Sequence, residues 1–126
     1  MTATFSPAEL DYLQSDRRLG RLATADRKGR LQVTPVGMWR YNPELGTIDI
    51  SGRNFAATRK YRNVRANPQA AFVVDDMASV DPWRPRAVMV EGHAEAVSDR
   101  EDGAGPLIRI APNKIISWGL EQQPQS

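Results

Sequence analysis

Chain breakers recur at short intervals along this sequence, and they limit what can form between them. Residues 26–29 (D-R-K-G), 42–46 (N-P-E-L-G), 67–68 (N-P), 82–85 (P-W-R-P), 103–105 (G-A-G) and 112–113 (P-N) each interrupt the chain. Proline lacks a backbone donor and glycine reaches positive φ, so such clusters end elements and build turns. The runs between them are short, and several alternate apolar and polar residues with the period of two that a half-buried strand requires. Residues 19–24, 31–41, 47–51, 69–74, 86–97, 107–111 and 114–120 read as strands. Two stretches carry helical signals instead. Ser6-Pro7-Ala8-Glu9 is a capping box with proline at the first helical position, and Leu10 and Leu13 mark the buried side of a helix to about residue 14. Phe5 and Leu10 stand at staple spacing. A second helix begins near Asn54 and stops at Asn67, because Pro68 cannot continue it. Its apolar stripe is Ala57, Tyr61 and Val64. Six to seven short antiparallel strands with two flanking helices predict a mainly β chain, a small barrel with helices at its mouth. One domain covers 1–120, and 121–126 read as a disordered tail.

Some details of the strands bear on ligands. In 31–41 the apolar alternation runs Leu31, Val33, then shifts to Val36, Met38, with Pro35 at the shift. That predicts a bulge or bend, which would re-aim Val33, Thr34 and Pro35 at a ligand; a plain edge strand fits the same residues. Residues 75–85 read as a long loop. Its Trp83 fits stacking on a planar ligand, packing across a dimer, or pinning its own loop. In 86–97 one face holds the small residues Val88, Val90, Gly92, Ala94 and Ala96, which admit close approach by another element and favour a dimer. Met89, Glu91, His93 and Glu95 lie on the other face. His93 between two glutamates fits a proton donor, and equally a solvated surface residue.

Composition excludes several chemistries. The 126 residues contain no cysteine and one histidine, which rules out disulfides, thiolate chemistry and a multi-histidine metal cluster. A net charge of +2 is too mild for a dedicated nucleic-acid binder. No apolar run is long enough to span a membrane and no signal-peptide core is evident, so a cytoplasmic protein is expected.

The main chemical signal lies in residues 50–68, I-S-G-R-N-F-A-A-T-R-K-Y-R-N-V-R-A-N-P. From Ile50 to Val74 the chain has no Asp or Glu, yet it carries Arg53, Arg59, Lys60, Arg62 and Arg65. Free N–H groups and the positive dipole end of a helix, with basic side chains in its first turns, seat a phosphate. The same charges also fit a solvated helix face.

Taken together, T-P-V-G (34–37), I-D-I-S-G (48–52), T-R-K-Y-R-N-V-R-A-N-P (58–68) and A-A-F-V-V-D-D (70–76) resemble the pyridoxamine 5'-phosphate oxidase-like split β-barrels, which have an FMN-binding-like fold. S-V-D-P-W-R-P-R (79–86), V-E-G-H-A-E (90–95) and I-I-S-W-G-L (115–120) resemble a small actinobacterial branch dependent on the deazaflavin coenzyme F420. The resemblance covers nearly the whole chain. It implies a homodimer with the cofactor at the subunit interface. Backbone of Gln32, Val33, Thr34, Pro35 and Val36 would lie along the ring, Ile50, Ser51 and Gly52 would follow, and Thr58, Arg59 and Lys60 would hold the phosphate. Trp83 and Trp118 would come from the second subunit. The chain lacks the C-terminal substrate-binding extension of a true pyridoxamine phosphate oxidase, so vitamin B6 oxidation is not implied. The resemblance implies an oxidoreductase transferring a hydride from F420 to an unsaturated small molecule. FMN on the same barrel is the alternative cofactor. A non-catalytic cofactor carrier or a haem binder using His93 is a further alternative.

Overall fold

The computed structural model describes residues 2–120; the expected disordered tail at 121–126 lies outside them. The elements, in chain order, are α1 (Pro7–Gln14), β1 (Gly20–Ala25), β2 (Leu31–Val36), β3 (Trp39–Asn42), β4 (Thr47–Ile50), α2 (Arg59–Ala66), β5 (Gln69–Ser79), β6 (Arg84–Val97) and β7 (Leu107–Trp118). All seven strands form one antiparallel sheet in the order β2-β1-β5-β6-β7-β4-β3. The sheet curls into a split barrel, as expected.

The register sorts the side chains into two faces. Thr34, Leu22, Phe72, Val90 and Ile115 form one row across five strands, and Val36, Gly20, Val74, Val88 and Ser117 form the next on the same face. Leu22, Phe72, Val74, Val88 and Val90 in these rows are buried and make the barrel core with Trp39, Ile48, Ile50, Ile108 and Ile110. Each such side chain contributes roughly 1.5–3 kcal/mol through removal from water. The alternate rows point outward. Pro35, Arg21, Val73, Met89 and Ile116 form one, and Val33, Ala23, Ala71, Glu91 and Lys114 the other. Gly20 is required at its place, because a Cβ there would lie 2.4 Å from the Phe72 ring.

The N-terminal helix forms as the capping box dictates: the Ser6 hydroxyl accepts from the Glu9 N–H, and the Glu9 carboxylate accepts from the Ser6 N–H. It is tied to the sheet by the Ser117 hydroxyl, which donates to Glu9, and by the Tyr12 hydroxyl, which donates to Asp76.

Several sequence expectations need correction. Residues 31–41 are two strands, not one bent strand; the break falls at Gly37–Met38, and Pro35 stays inside β2. An edge strand has no outer partner to lose, so proline is tolerated there. The loop expected at 75–85 is a continuous hairpin, with Asp76 opposite Arg86 and Ser79 opposite Arg84. Ion pairing across the strands stabilises what turn statistics read as loop. The last two strands are one, β7, with a bulge where Glu91 faces Lys114 but Gly92 faces Pro112. The second helix starts at Arg59, and residues 55–57 form a separate 3-10 turn. Ala57 is exposed, and the buried stripe is Tyr61, Asn63 and Val64. The small-residue face of β6 faces this chain's own core, with Val88, Val90 and Ala94 buried, so it does not argue for a dimer. At Gly92 a Cβ would sit 2.1 Å from the Ala111 carbonyl oxygen, so the element that approaches closely is β7.

Candidate functional site

The two edge strands are consecutive in the chain, and the two residues between them form one side of the candidate site. Arg17 fastens this junction: its Nη2 donates to the Gly37 carbonyl at 2.6 Å, and its guanidinium lies 4.9 Å from the centre of the Trp39 ring. The Trp39 indole donates to the Arg18 carbonyl. On the other side, β3 pairs with β4 so that Trp39 faces Ile50. One residue further, the Ser51 N–H donates to the Met38 carbonyl at 2.9 Å. The predicted residues Thr34, Pro35 and Val36 are thereby joined through Gly37–Met38 to Ile50, Ser51 and Gly52. Ile50 itself is buried in the core, so only its backbone could face a ligand.

From Gly52 the chain turns tightly. Asn54 adopts the left-handed conformation, φ 46°, which asparagine tolerates better than most residues. A Cβ at Gly52 would stand 3.3 Å from the Phe55 ring. Phe55 is buried and packs edge-on against Tyr61, 5.6 Å between ring centres. Thr58 caps α2: its hydroxyl accepts from the Tyr61 N–H at 3.3 Å and donates to the Phe55 carbonyl at 2.6 Å. The Lys60 ammonium lies 5.4 Å from the Phe55 ring centre. Phe55 therefore links Gly52 to Lys60, and Thr58, Arg59 and Lys60 open the helix beside the Ser51–Gly52 turn.

The electrostatics match that geometry. Among the described residues, Arg53, Arg59, Lys60, Arg62 and Arg65 make no ion pair. Of these, Arg53, Arg59 and Lys60 stand at the N-terminal end of α2, where unpaired cations suit an anion, while Arg65 lies in its last turn. Gln32 adds a second mark. It lies opposite Thr24, whose hydroxyl accepts from Asn63 of α2 at 3.0 Å, but its own Oε1 is buried without a hydrogen-bond partner. A buried acceptor left unpaired costs about 1–3 kcal/mol, which a bound donor would recover. The residues present thus fit a flavin-type cofactor: an unpaired acceptor on β2, a close backbone turn at Ser51–Gly52, and free cations at the head of α2. Val33 fits less directly; its side chain is on the outward face and exposed.

Trp83 and Trp118 are not brought to this place within one chain. Ile50 pairs with Ile108, and Trp118 is ten residues further along β7, about 33 Å at strand rise. Trp83 sits at the β5–β6 turn, 70% exposed. His93 lies in an outward concavity of about 660 Å³ with Leu31, Ala71, Gln69, Glu91 and Lys114. That groove meets the C-terminal end of α2 through Pro68–Gln69, not its N-terminal end, and it contains none of the predicted cofactor residues. Among the described residues no cluster of His, Cys, Asp or Glu could hold a metal, and no helix is long and apolar enough to cross a membrane.

Two charged networks escaped sequence reading. The Asp76 carboxylate accepts from Arg86 at 2.8 and 2.6 Å, from Arg18 at 2.7 Å and from Tyr12 at 2.9 Å. The Arg86 guanidinium chiefly, with Arg18 and Tyr12, holds this carboxyl well below the usual carboxylate range against its partial burial. Burial first, and the bond to Asp76 second, push the Tyr12 phenol above its ordinary range. Asp49, buried in β4, accepts from Arg109, Asn42 and Thr47. Burial is the largest influence on Asp49 and would raise it; those bonds outweigh burial and keep it low. A D-D pair in an apolar run and an arginine ten residues on were visible, but pairing them needs the hairpin register.

Comparison with known proteins agrees with the architecture. The family model for pyridoxamine 5'-phosphate oxidase matches residues 6–126. The chain is 40% identical over 122 residues, 93% of this chain and 84% of the relative, to the 5a,11a-dehydrotetracycline/5a,11a-dehydrooxytetracycline reductase of Streptomyces rimosus. A conserved hypothetical protein of Mycobacterium tuberculosis superposes with a TM-score of 0.70 at 22% identity, covering 98% of this chain and 93% of that one. A structure described as an F420 reductase superposes with a TM-score of 0.62 at 23% identity, covering 84% and 94%. At such identities the two structures attest the shared fold. The chain belongs to the pyridoxamine 5'-phosphate oxidase family, and it is an oxidoreductase of the split-barrel kind.

Proposed function

We propose that this protein is an F420-dependent reductase, acting as a homodimer on an unsaturated, conjugated small molecule. The observation that carries the reading is the convergence of the Ser51–Gly52 turn and the unpaired cations of α2 on one place. When bound in its reduced form, F420 supplies a hydride and reacts poorly with oxygen. The chain's own part is to bind and orient. Thr58, Arg59 and Lys60 hold the phosphate, the helix N–H groups adding their positive end. The backbone of Gln32–Val36 and of Ser51–Gly52 lies along the ring, and Gln32 Oε1 gains a donor. No side-chain nucleophile is needed. Similarity to the tetracycline-type reductase supports a carbon–carbon double bond conjugated to a ketone in a fused ring system as the acceptor.

The dimer places its boundary on the outward rows of the sheet. Leu31 and Val33 on β2, and Ile116 and Trp118 on β7, are exposed on that face and offer apolar contacts to a second copy. Such a boundary would bring Trp83 and Trp118 of one subunit toward the open side of the other's site. FMN on the same seat is the second reading, favoured by the family's flavin chemistry. Titrating the purified protein separately with F420 and FMN, read by quenching of cofactor fluorescence, decides between them. Tight F420 binding is expected; tight FMN binding with none for F420 overturns the assignment.

A further inference from the structure

We infer that the tip of the β5–β6 hairpin is a substrate-recognition element, and that Trp83 and Arg84 grip a planar polycycle bearing enolate oxygens. The inference rests on the reductase reading above and goes further, because it names what recognises the substrate. It assigns Trp83 to the substrate and not to the cofactor.

The hairpin outruns its neighbours. β1 begins at Gly20 opposite Val74, and β7 ends at Trp118 opposite Ala87. Beyond these rows β6 extends by the three residues 84–86, roughly 10 Å at strand rise, and β5 by the five residues 75–79, with a bulge that brings Ser79 opposite Arg84. A projecting hairpin is ordinarily mobile, but this one is braced at its root. Asp76 is held by the fork of Arg86 and by Arg18 and Tyr12, which fasten both arms to α1 and to the segment that follows it. Gly119 lies against the other side so closely that a Cβ would stand 2.0 Å from the Pro85 carbonyl oxygen. The root of the arm is therefore held in place, and the exposed tip stands beyond it.

What it presents is chemically particular. Val80 and Trp83 are 68% and 70% exposed, two apolar groups left in water at the end of an arm braced at its root. Arg84, next to Trp83 in the chain, lines a concavity of about 700 Å³ whose other walls include Met77, Arg86, Gly119 and Leu120. Arg86 is committed to Asp76, whereas Arg84 makes no ion pair among the described residues. An indole face, a free guanidinium and a thioether together recognise a flat, electron-rich anion: the ring stacks on Trp83, adjacent enolate oxygens accept the guanidinium fork, and Met77 adapts to the outline. A simple apolar substrate would give Arg84 nothing to bind. An enolised 1,3-dicarbonyl fused to aromatic rings satisfies all three groups.

The test uses tetracycline as the probe, titrated calorimetrically into the cofactor-free protein, with F420 affinity and sedimentation measured in parallel. Trp83→Ala and Arg84→Ala are each expected to weaken tetracycline binding about tenfold. Trp83→Phe should restore most of the loss, and Arg84→Ala should leave F420 affinity and dimer mass as in the parent. Unchanged tetracycline affinity in both alanine variants, or no binding by the parent protein, overturns the inference while leaving the reductase reading intact. Equal weakening of F420 by Trp83→Ala returns that residue to the cofactor seat and also overturns it. So does a loss that accompanies dissociation to monomers. A parent protein that binds tetracycline but neither cofactor removes the reductase reading itself.

Discussion

In the proposed cofactor seat, Lys60 and Arg59 bind an anion and supply no chemistry of their own. Neither is neutralised by a carboxylate among the described residues, so each is free for an anion. Arg59→Ala and Lys60→Ala are each expected to weaken cofactor binding by roughly 1.5–3 kcal/mol, the size of a charge-assisted hydrogen bond; fluorescence titration measures it. Asp76 is the opposite case, a carboxylate with three donors. Asp76→Asn should destabilise the fold by about 2–3 kcal/mol in chemical denaturation, because Arg18, whose side chain is 8% exposed, loses its charge partner. The pH dependence follows the same residue. A carboxyl held below its unfolded value lends stability that is complete above about pH 4, and that stability drains away as pH falls toward its folded value. Tyr12 acts in the other direction. Its raised phenol lends stability that is present below about pH 10 and is lost above it, as the unfolded chain ionises first. The melting temperature should therefore fall at both extremes, and Asp76→Asn should flatten the acid limb.

Among the elements, α2 shows what local sequence controls. Thr58 alone caps it, so Thr58→Ala should cost about 1 kcal/mol and loosen the first turn that carries Arg59 and Lys60. Gly92→Ala should cost more, at least about 2 kcal/mol in the same denaturation experiment, since the obstacle is the Ala111 backbone and not a mobile side chain. Signals within a few residues of one another were legible in the chain: the Ser6–Glu9 capping box, the Gly29 and Gly46 turns, and Pro68 as the end of α2. The resemblance supplied the split barrel, with helix and sheet placed accordingly. Signals that depend on distant partners were not legible. The 75–85 segment reads as loop until Arg86 and Arg18 meet Asp76, and Ala57 reads as buried until the turn at Phe55 rotates it outward. The candidate site divides the same way. Thr58–Lys60 and Ser51–Gly52 were visible as motifs, whereas the orphaned Gln32 oxygen and the Met38 hydrogen bond exist only once strands are registered.

For the molecule as a whole, the proposed dimer rests on the outward rows of the sheet. Val33, on the edge strand β2, is 68% exposed within the proposed boundary, and Val33→Glu should yield a folded monomer by light scattering, with weakened cofactor binding. A variant that stays dimeric would place the boundary elsewhere. The closure of the barrel has its own consequence. Its outermost strands, β2 and β3, are successive in the chain and joined by the two residues Gly37 and Met38, with Arg17 clasping the join. Neither margin can drift off to recruit a stranger's backbone without dragging the other along, and Pro35 already withholds a donor from one of them. A few extra glycines spliced between residues 37 and 38 would free the two rims like an undone clasp, leaving a soluble chain newly inclined to polymerise.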